Sequence, residues 1–436
     1  MSLFRESLLD LHCPASLRCY LIPHSSASMI LRLRWAGNFW YSRLMRLLFV
    51  ADGRSPIALN WIRYFVERGD DVFLASTFAC SPDLPLQELE ITPVAYSART
   101  GGPNRARRGA SALRLLTALH HLLGPLTIPR AARKLRAFAD RVRPDLVHAM
   151  RIPFEGMLAA DAGGAAPLLV SVWGNDFTLH APSTALMRHY TAWTLGVADA
   201  LHADCQRDIR LSREWGLAPA KPTLVSPGGG GIQTAVFFPG SKPAPAPTVI
   251  NARGSRAYVR NDVFFKAVPL VLERRPDVRF TCVALAQDRE ALRWVDKLRI
   301  GHAVQLLPLV SQGELADMLR RAQVMVSPSV HDGTPNSLLE GMACGCFPIA
   351  GDLESIREWI RHGENGLLVD ATDPVALAHA IVQALENENL RRQAAGLNQQ
   401  LILGRAEYAR CMSRAREFYA RIIAGSALST RPTTAP

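Results

Sequence analysis

Val324-Met325-Val326-Ser327-Pro328-Ser329-Val330-His331-Asp332-Gly333-Thr334-Pro335-Asn336-Ser337-Leu338-Leu339-Glu340 runs from an apolar stretch through a loop into the start of a helix. Val324–Ser327 reads as a strand buried on both faces. Gly333 then permits an unusual backbone angle, Thr334 is a good N-cap, and Pro335 suits the first helical position. On that reading the amides of Asn336 and Ser337 point out of the helix start, and the helix dipole behind them makes an anion site. Glu340 lies on the same face, and helical side chains lean toward the N-terminus, so its carboxylate reaches back to that site. A carboxylate beside an anion site does not bind the anion. It accepts hydrogen bonds from hydroxyls, as a ribose offers, and Asp332 in the preceding loop can accept from a second polyol.

A strand leading at once into a helix is the unit of a parallel α/β sheet, and the alternation extends in both directions. Upstream, Met45–Ala51, Asp71–Ser76, Leu146–His148, Leu168–Val172, Ala200–Ala203 and Leu224–Ser226 read as strands. Phe238-Pro239-Gly240-Ser241-Lys242-Pro243-Ala244-Pro245-Ala246-Pro247 then breaks the pattern as a semi-rigid linker. Beyond it, strands are expected at Thr248–Ala252, Val278–Leu285, Val304–Leu307, Phe347–Ala350 and Gly366–Val369, with a further element at Ser355–His362. The expected organisation is a first domain over 45–235, a linker over 236–247 and a second domain over 248–405. A final helix is expected over 406–425, crossing back toward the first domain, and 426–436 is expected as a frayed tail. Two doubly wound sheets joined by a linker leave a cleft at their carboxyl ends, so function belongs in the loops after strands.

Composition agrees with an ordinary two-domain globular protein. The chain has 436 residues, 48% hydrophobic and 20% charged, enough for two cores and too apolar for disorder. No stretch reaches the roughly 18–20 unbroken apolar residues of a spanning helix. Its eight cysteines include no Cys-x-x-Cys and read as reduced cytosolic thiols rather than metal ligands or disulfides. Residues 1–44 show no clear period. Met45 reads as the true initiator and the leader as an over-extended reading frame; an authentic amphipathic arm is the alternative, and intact mass of the native protein distinguishes them.

Asp332-x(7)-Glu340, followed by Gly341-Met342-Ala343-Cys344-Gly345 and Asn365-Gly366-Leu367-Leu368-Val369, resembles the acidic double motif of family-4 retaining glycosyltransferases of the GT-B fold. The resemblance implies an α/β architecture of two Rossmann-like doubly wound domains facing a central cleft. It implies transfer of a sugar from a nucleoside-diphosphate sugar to an acceptor hydroxyl, with retained anomeric configuration. Glu340 then binds the nucleotide ribose and Asp332 contacts the donor sugar near the reacting carbon. The loop amides at Gly333, Thr334, Asn336 and Ser337 hold the sugar or diphosphate. The first acid here is Asp where the commoner residue is Glu.

No Asp-x-Asp metal motif is present, so no metal is expected, and fixed cations must neutralise the leaving diphosphate. Asn251-Ala252-Arg253-Gly254-Ser255-Arg256-Ala257-Tyr258-Val259-Arg260 resembles the family's strand-end Arg followed by Lys. Arg253 matches it; the Lys is absent, and Arg256 and Arg260 are substitutes inferred from placement. In the first domain, Ser171-Val172-Trp173-Gly174-Asn175-Asp176 resembles a loop that commonly reads His-Gly-x-Asp. With Trp173 in place of that histidine, a catalytic role falls to His148 or His180 or is dispensed with. Gly228–Gly231 reads as a close-approach loop over the donor or as a hinge.

The net charge is +12, and between Arg99 and Arg143 stand ten arginines and one lysine against a single acid, Asp140. Leu113, Leu115, Leu116, Leu119, Leu122 and Leu123 interleave with them. This belt fits an anionic leaflet, with a solvated helix face over a leucine core as the alternative. Nucleic acid is not expected, because no aromatic platform accompanies the arginines. The expected partners are therefore a nucleotide sugar, a glycan or lipid-linked acceptor, and an anionic membrane surface. The expected location is the cytoplasm, with peripheral attachment to the inner membrane face. A nucleotide-sugar epimerase of the same fold and a non-catalytic sugar-nucleotide binder are the alternatives. A nicotinamide dehydrogenase is disfavoured, since neither domain's first strand precedes Gly-x-Gly-x-x-Gly. A glycosidase is disfavoured because one acid is assigned to ribose.

Overall fold

The computed structural model describes residues 17–19, 33–35, 44–94, 122–240, 245–256 and 258–429. The chain divides into a small unit, 1–44, and a large one, 45–436. In the small unit β1 (Leu17–Cys19) pairs antiparallel with β2 (Leu33–Trp35).

The large unit contains two parallel sheets. The first has seven strands in the order β5-β4-β3-β6-β7-β8-β9. These are β3 (Arg46–Ala51), β4 (Asp71–Ser76), β5 (Glu88–Ile91), β6 (Leu146–Ala149), β7 (Leu168–Val172), β8 (Ala200–Ala203) and β9 (Thr223–Val225). Every residue of β7 and β8 is buried, as strands covered on both faces by helices must be. The second sheet has six strands in the order β12-β11-β10-β13-β14-β15. They are β10 (Thr248–Asn251), β11 (Arg279–Cys282), β12 (Val304–Leu306), β13 (Val324–Ser327), β14 (Phe347–Gly351) and β15 (Leu367–Val369). In each sheet the strand order reverses beside the first strand, between β3 and β6 and between β10 and β13. Those are the switch points where crevices open at the carboxyl edge.

β5 is one strand more than the sequence reading placed in the first sheet. Its Glu-Leu-Glu-Ile composition carries no buried-strand signature because it is an edge strand, where charge blocks further pairing. Glu88 and Glu90 instead pair with Arg141 and Lys134 of a flanking helix. The element expected over 355–362 forms only a 3-10 turn, Ile356–Glu358.

Helices cover both faces. On the first sheet these include α1 (Pro56–Glu67), α2 (Ile128–Val142), α3 (Met157–Ala162), α4 (Ala185–Val197) and α5 (Gln206–Glu214). On the second lie α6 (Asn261–Arg274), α7 (Arg289–Lys297), α8 (Gln312–Arg321), α9 (Asn336–Ala343), α10 (Pro374–Glu386) and α11 (Glu388–Leu401). α2 turns Ile128, Ala131, Leu135, Phe138 and Val142 into the first core, leaving its arginines in solvent. For this described part of the basic belt, the apolar face is core. Leu113, Leu115, Leu116 and Leu119 lie outside the described residues.

Before the proline-rich stretch, Ile232 and Phe237 already pack in a core cluster of the second domain. The last helix, α12 (Tyr408–Ser429), returns to the first domain. Its Met412, Ala415, Phe418, Tyr419 and Ile422 pack with Leu47 and Phe49 of β3 and with Trp61 and Phe65 of α1. Full burial of side chains this size contributes roughly 1.5–3 kcal/mol each, so α12 is integral to the first core.

Candidate active site

The two carboxyl edges meet around one cavity of about 650 Å³. From the first domain, Ser55 and Asn60 at the start of α1, Arg151 after β6, Trp173 and Asn175 after β7, and Gly228 and Gly229 after β9 line it. From the second come Arg253 and Arg256 after β10 and Asp332, Asn336, Ser337 and Glu340 between β13 and α9.

The helix start lies one residue later than its sequence suggests. Pro335 is the N-cap, extended at φ −68° and ψ 118°, and α9 begins at Asn336 with no side-chain cap and no acid in its first turn. The amides of Asn336 and Ser337 make no hydrogen bond among the described residues, which leaves the positive end of the helix dipole facing the cavity. Thr334 is not the N-cap because its groups are used across the domain boundary. Its hydroxyl donates to the Asp204 carbonyl and its amide to an Asp204 carboxylate oxygen at 3.2 Å. Gly333 likewise has no unusual φ. It is glycine because of close approach: a Cβ there would stand 2.3 Å from an Asp204 oxygen, and one on Gly174 would stand 1.7 Å from the Gly333 nitrogen.

Arg253 is 9% exposed and holds the centre of the second-domain wall. Its amide is fixed by Asn251 Oδ1 at 3.1 Å; one guanidinium nitrogen donates to Ser337 Oγ at 3.1 Å and the other pairs with Asp332 Oδ2. Its Nε–H is buried without a partner among the described residues. The carboxylate of Glu340, on the second turn of α9, accepts no hydrogen bond among the described residues. Burial pushes its carboxyl up to about 7, with Arg253 opposing the shift. Arg256 is exposed on the cavity rim, its Nε donating to the Arg253 carbonyl at 3.4 Å.

Two expected site residues stand elsewhere. Arg260 is paired with Asp262 at 2.8 and 2.9 Å at the start of α6, outside the cavity lining. Charge pairing within one helix start has taken the side chain that placement alone assigned to diphosphate. His148 is 1% exposed, and both ring nitrogens are engaged, by Tyr419 and by Ser171. A strand-end histidine can face the cleft or the core, and this one faces the core, so it cannot touch a sugar in the cavity. His180 does line it, as does Trp173.

The residues that sequence reasoning missed tie the two domains. Arg207, 8% exposed, donates to the carbonyls of Gly174 (2.6 Å) and Asp332 (2.7 Å) and to Ser355 Oγ (3.1 Å). The first amides of α5, Gln206 and Arg207, donate to the Glu358 carboxylate at 2.9 and 3.0 Å. Asp204 is pushed well above its ordinary value by burial and by the neighbouring Asp208. Asp204, Cys205 and Asp208 form the one cluster of metal-ligand type among the described residues. Asp208 is bound to Arg207 and Asp204 to the Gly174 and Thr334 amides, so these acids serve the domain junction. The available signal was position alone: Asp204 to Arg207 directly follow β8.

Comparison with known proteins agrees with this geometry. A model described as "Glycosyl transferase 4-like domain" matches residues 53–228, and one described as "Glycosyl transferases group 1" matches 249–387. D-inositol 3-phosphate glycosyltransferase of Thermobispora bispora is 29% identical over 44% of this chain and 49% of its own. Phosphatidyl-myo-inositol mannosyltransferase of Mycobacterium leprae is 36% identical over 30% of this chain and 35% of its own. The chain thus spans about half or less of these relatives' length. Among solved structures, sucrose-phosphate synthase from Thermosynechococcus elongatus superposes with a TM-score of 0.68, at 17% identity, over 88% of this chain and 100% of that one. Anabaena Alr3699/HepE, solved with UDP and glucose, gives 0.64 at 15% identity over 86% and 100%. Two switch-point sheets closing on one cavity, and two matched models that divide the chain between them, place it among the group-1 glycosyltransferases of the GT-B fold.

Proposed function

We propose that the protein transfers a hexose-type sugar from a nucleoside diphosphate to an acceptor hydroxyl with retained configuration, in cell-envelope glycan or glycolipid synthesis. The observation that carries this is the second-domain wall. There a carboxylate without a protein partner, Glu340, stands beside the open helix start of Asn336 and Ser337 and beside Arg253. Glu340 accepts the two ribose hydroxyls, and the α9 amides and Arg253 hold the diphosphate. Arg253, with Arg256 at the rim, neutralises charge as the glycosidic bond to the diphosphate breaks, so no metal is required for that step. Asp332 orients the donor sugar from its pair with Arg253. The contacts of Arg207 and Asp204 across the junction close the domains and exclude water.

The test is thermal shift of the full chain against a panel of nucleoside diphosphates and their sugars, followed by transfer with the best donor. A several-degree rise with one base and an axial product from an axial donor are expected. No stabilisation by any nucleotide overturns the proposal, and an inverted product overturns retention. Isomerised donor formed without acceptor identifies an epimerase instead.

The acceptor is inferred from the relatives' names: a phosphorylated or lipid-linked polyol such as an inositol phosphate or phosphatidylinositol. The lipid-linked alternative calls for docking on the inner membrane face. The described part of the belt supplies exposed Leu122, Leu123 and Leu126 beside Arg130 and Arg133. No described helix is long and apolar enough to cross a membrane. Flotation with anionic vesicles and none with neutral ones is the expected result; equal recovery with both removes the membrane role.

A further inference from the structure

Beneath the first-domain wall of the cavity runs a chain of buried hydrogen bonds. Trp61 Nε1 of α1 lies 2.8 Å from Tyr419 Oη of α12, which lies 2.5 Å from His148 Nδ1 at the end of β6. His148 Nε2 is 2.7 Å from Ser171 Oγ of β7, and that oxygen is 2.8 Å from His202 Nδ1 of β8. His202 Nε2 ends the chain at the Ser226 carbonyl, 2.9 Å away. All six residues are at most 2% exposed.

The direction of every proton in this chain follows from its two ends. An indole N–H can only donate, so Tyr419 Oη accepts from Trp61 and its own proton goes to His148 Nδ1. A carbonyl can only accept, so His202 carries its proton on Nε2. A neutral His202 then leaves Nδ1 bare, and Ser171 donates to it. Ser171 Oγ must in turn accept from His148 Nε2–H, which leaves His148 Nδ1 bare for Tyr419. The two ends impose the same direction. Protonating either imidazole would set two donors against each other inside the core. No carboxylate is bonded to either ring to favour the cation. Burial, with His202 adding to it, drives His148 well below its ordinary value, and burial drives His202 to about 4.

The Ser226 end reaches the cavity. Pro227 follows, then Gly228, where a Cβ would stand 3.4 Å from the Trp173 indole, and Gly229, where one would stand 2.8 Å from Asn336 Nδ2. The Gly229 carbonyl is held from the other side by Asn60 of α1 at 2.7 Å, and the Asn60 carbonyl by Tyr408 of α12 at 2.7 Å. Thus α1 and α12 anchor both the chain's donor end and the far side of the same wall.

We infer that His148 and His202 are positioning residues: uncharged and protonated on Nε2, they carry a one-way hydrogen-bond chain that holds the Ser226–Gly229 wall against Trp173 and Asn336. What the wall meets in the cavity rests on the proposed transferase reading; the chain itself does not. It also gives the returning helix a role, since Tyr419 supplies a hydroxyl that joins α1 to β6.

The experiment uses the full chain without nucleotide. Long-range proton–nitrogen spectra of histidine-labelled protein, assigned with the His148→Gln and His202→Gln variants, are expected to show both rings neutral with the proton on Nε2 from pH 8 down to pH 5.5. A proton on Nδ1, or an imidazolium at either position in that range, overturns the inference. Amide exchange followed by mass spectrometry gives the second reading. Ser171→Ala is expected to speed exchange across 226–231 at least tenfold while 279–282 in the second sheet is unchanged, and Ser171→Thr is expected to restore it. Tyr419→Phe cuts the chain at its other end and is expected to do the same should Ser171→Ala not fold. Unchanged exchange at 226–231 in a folded variant overturns the inference. Neither reading uses a nucleotide sugar, so failure here leaves the transferase proposal standing, and the reverse.

Discussion

Arg253→Ala is expected to reduce sugar transfer by about 10³-fold or more while the protein remains folded but less stable. The size follows from three losses at one point. The guanidinium is a fixed donor aimed where charge develops on the leaving diphosphate, and removing one such donor costs about 10²–10³-fold in turnover. It is also the ion-pair partner of Asp332, whose side chain is only 12% exposed. Breaking a buried pair from one side destabilises by about 3–5 kcal/mol. Finally, Arg253 opposes the upward shift of Glu340, so its loss drives Glu340 further toward the neutral acid. Arg253→Lys keeps the charge but loses the fork that reaches Ser337 and Asp332 together. It should recover stability better than turnover, remaining about 10–10²-fold slow. Steady-state transfer with the stabilising donor, alongside thermal melts, checks both. Transfer within tenfold of wild type in folded Arg253→Ala would falsify the diphosphate role.

The chemistry of this wall was legible in sequence to the extent that it is local. The strand Val324–Ser327, the glycine-proline loop and the spacing to Glu340 lie within 17 consecutive residues, and periodicity with capping preferences reads such segments well. The alternation of strands and helices was legible for the same reason, since each buried parallel strand announces itself by composition. Much of what failed depended on the opposite domain. Thr334 looks like an N-cap until Asp204, 130 positions earlier, takes its hydroxyl and amide. Gly333 looks like a conformational glycine until Gly174 is brought against it. Arg207 belongs to no motif, yet it joins Gly174, Asp332 and Ser355 because folding delivers two carbonyls and a hydroxyl to one guanidinium. His148 shows the symmetric failure: the same strand-end histidine reads alike whether its ring points to a ligand or, as here, to Ser171 and Tyr419.

Glu340→Gln separates the roles of charge and shape at the proposed ribose site. Desolvation pushes the wild-type carboxyl up to about 7 from an ordinary 4.5, with Arg253 opposing the shift. The sign follows from proton counting. Between pH 4.5 and 7 the folded protein binds more protons than the unfolded chain, so this group makes stability fall as pH rises through that window. By pH 8 the accumulated cost is on the order of 3 kcal/mol. A neutral amide of the same shape bears no such cost, so Glu340→Gln should melt a few degrees above wild type at pH 8 and level with it near pH 4.5. Nucleotide binding should move the other way. Two ribose hydroxyls donating to an anionic acceptor are charge-assisted bonds, each worth about 1.5–3 kcal/mol. Replacing the carboxylate with an amide that offers one acceptor should therefore weaken diphosphate affinity by about 10–10²-fold at pH 8, measured by calorimetry. The 2′-deoxyribose nucleotide should bind the variant and wild type more nearly alike. A variant that is more stable but binds the diphosphate as wild type does would leave Glu340 a buried acid with no ribose to hold, and a variant with neither change would show that its carboxylate is solvated in the working protein.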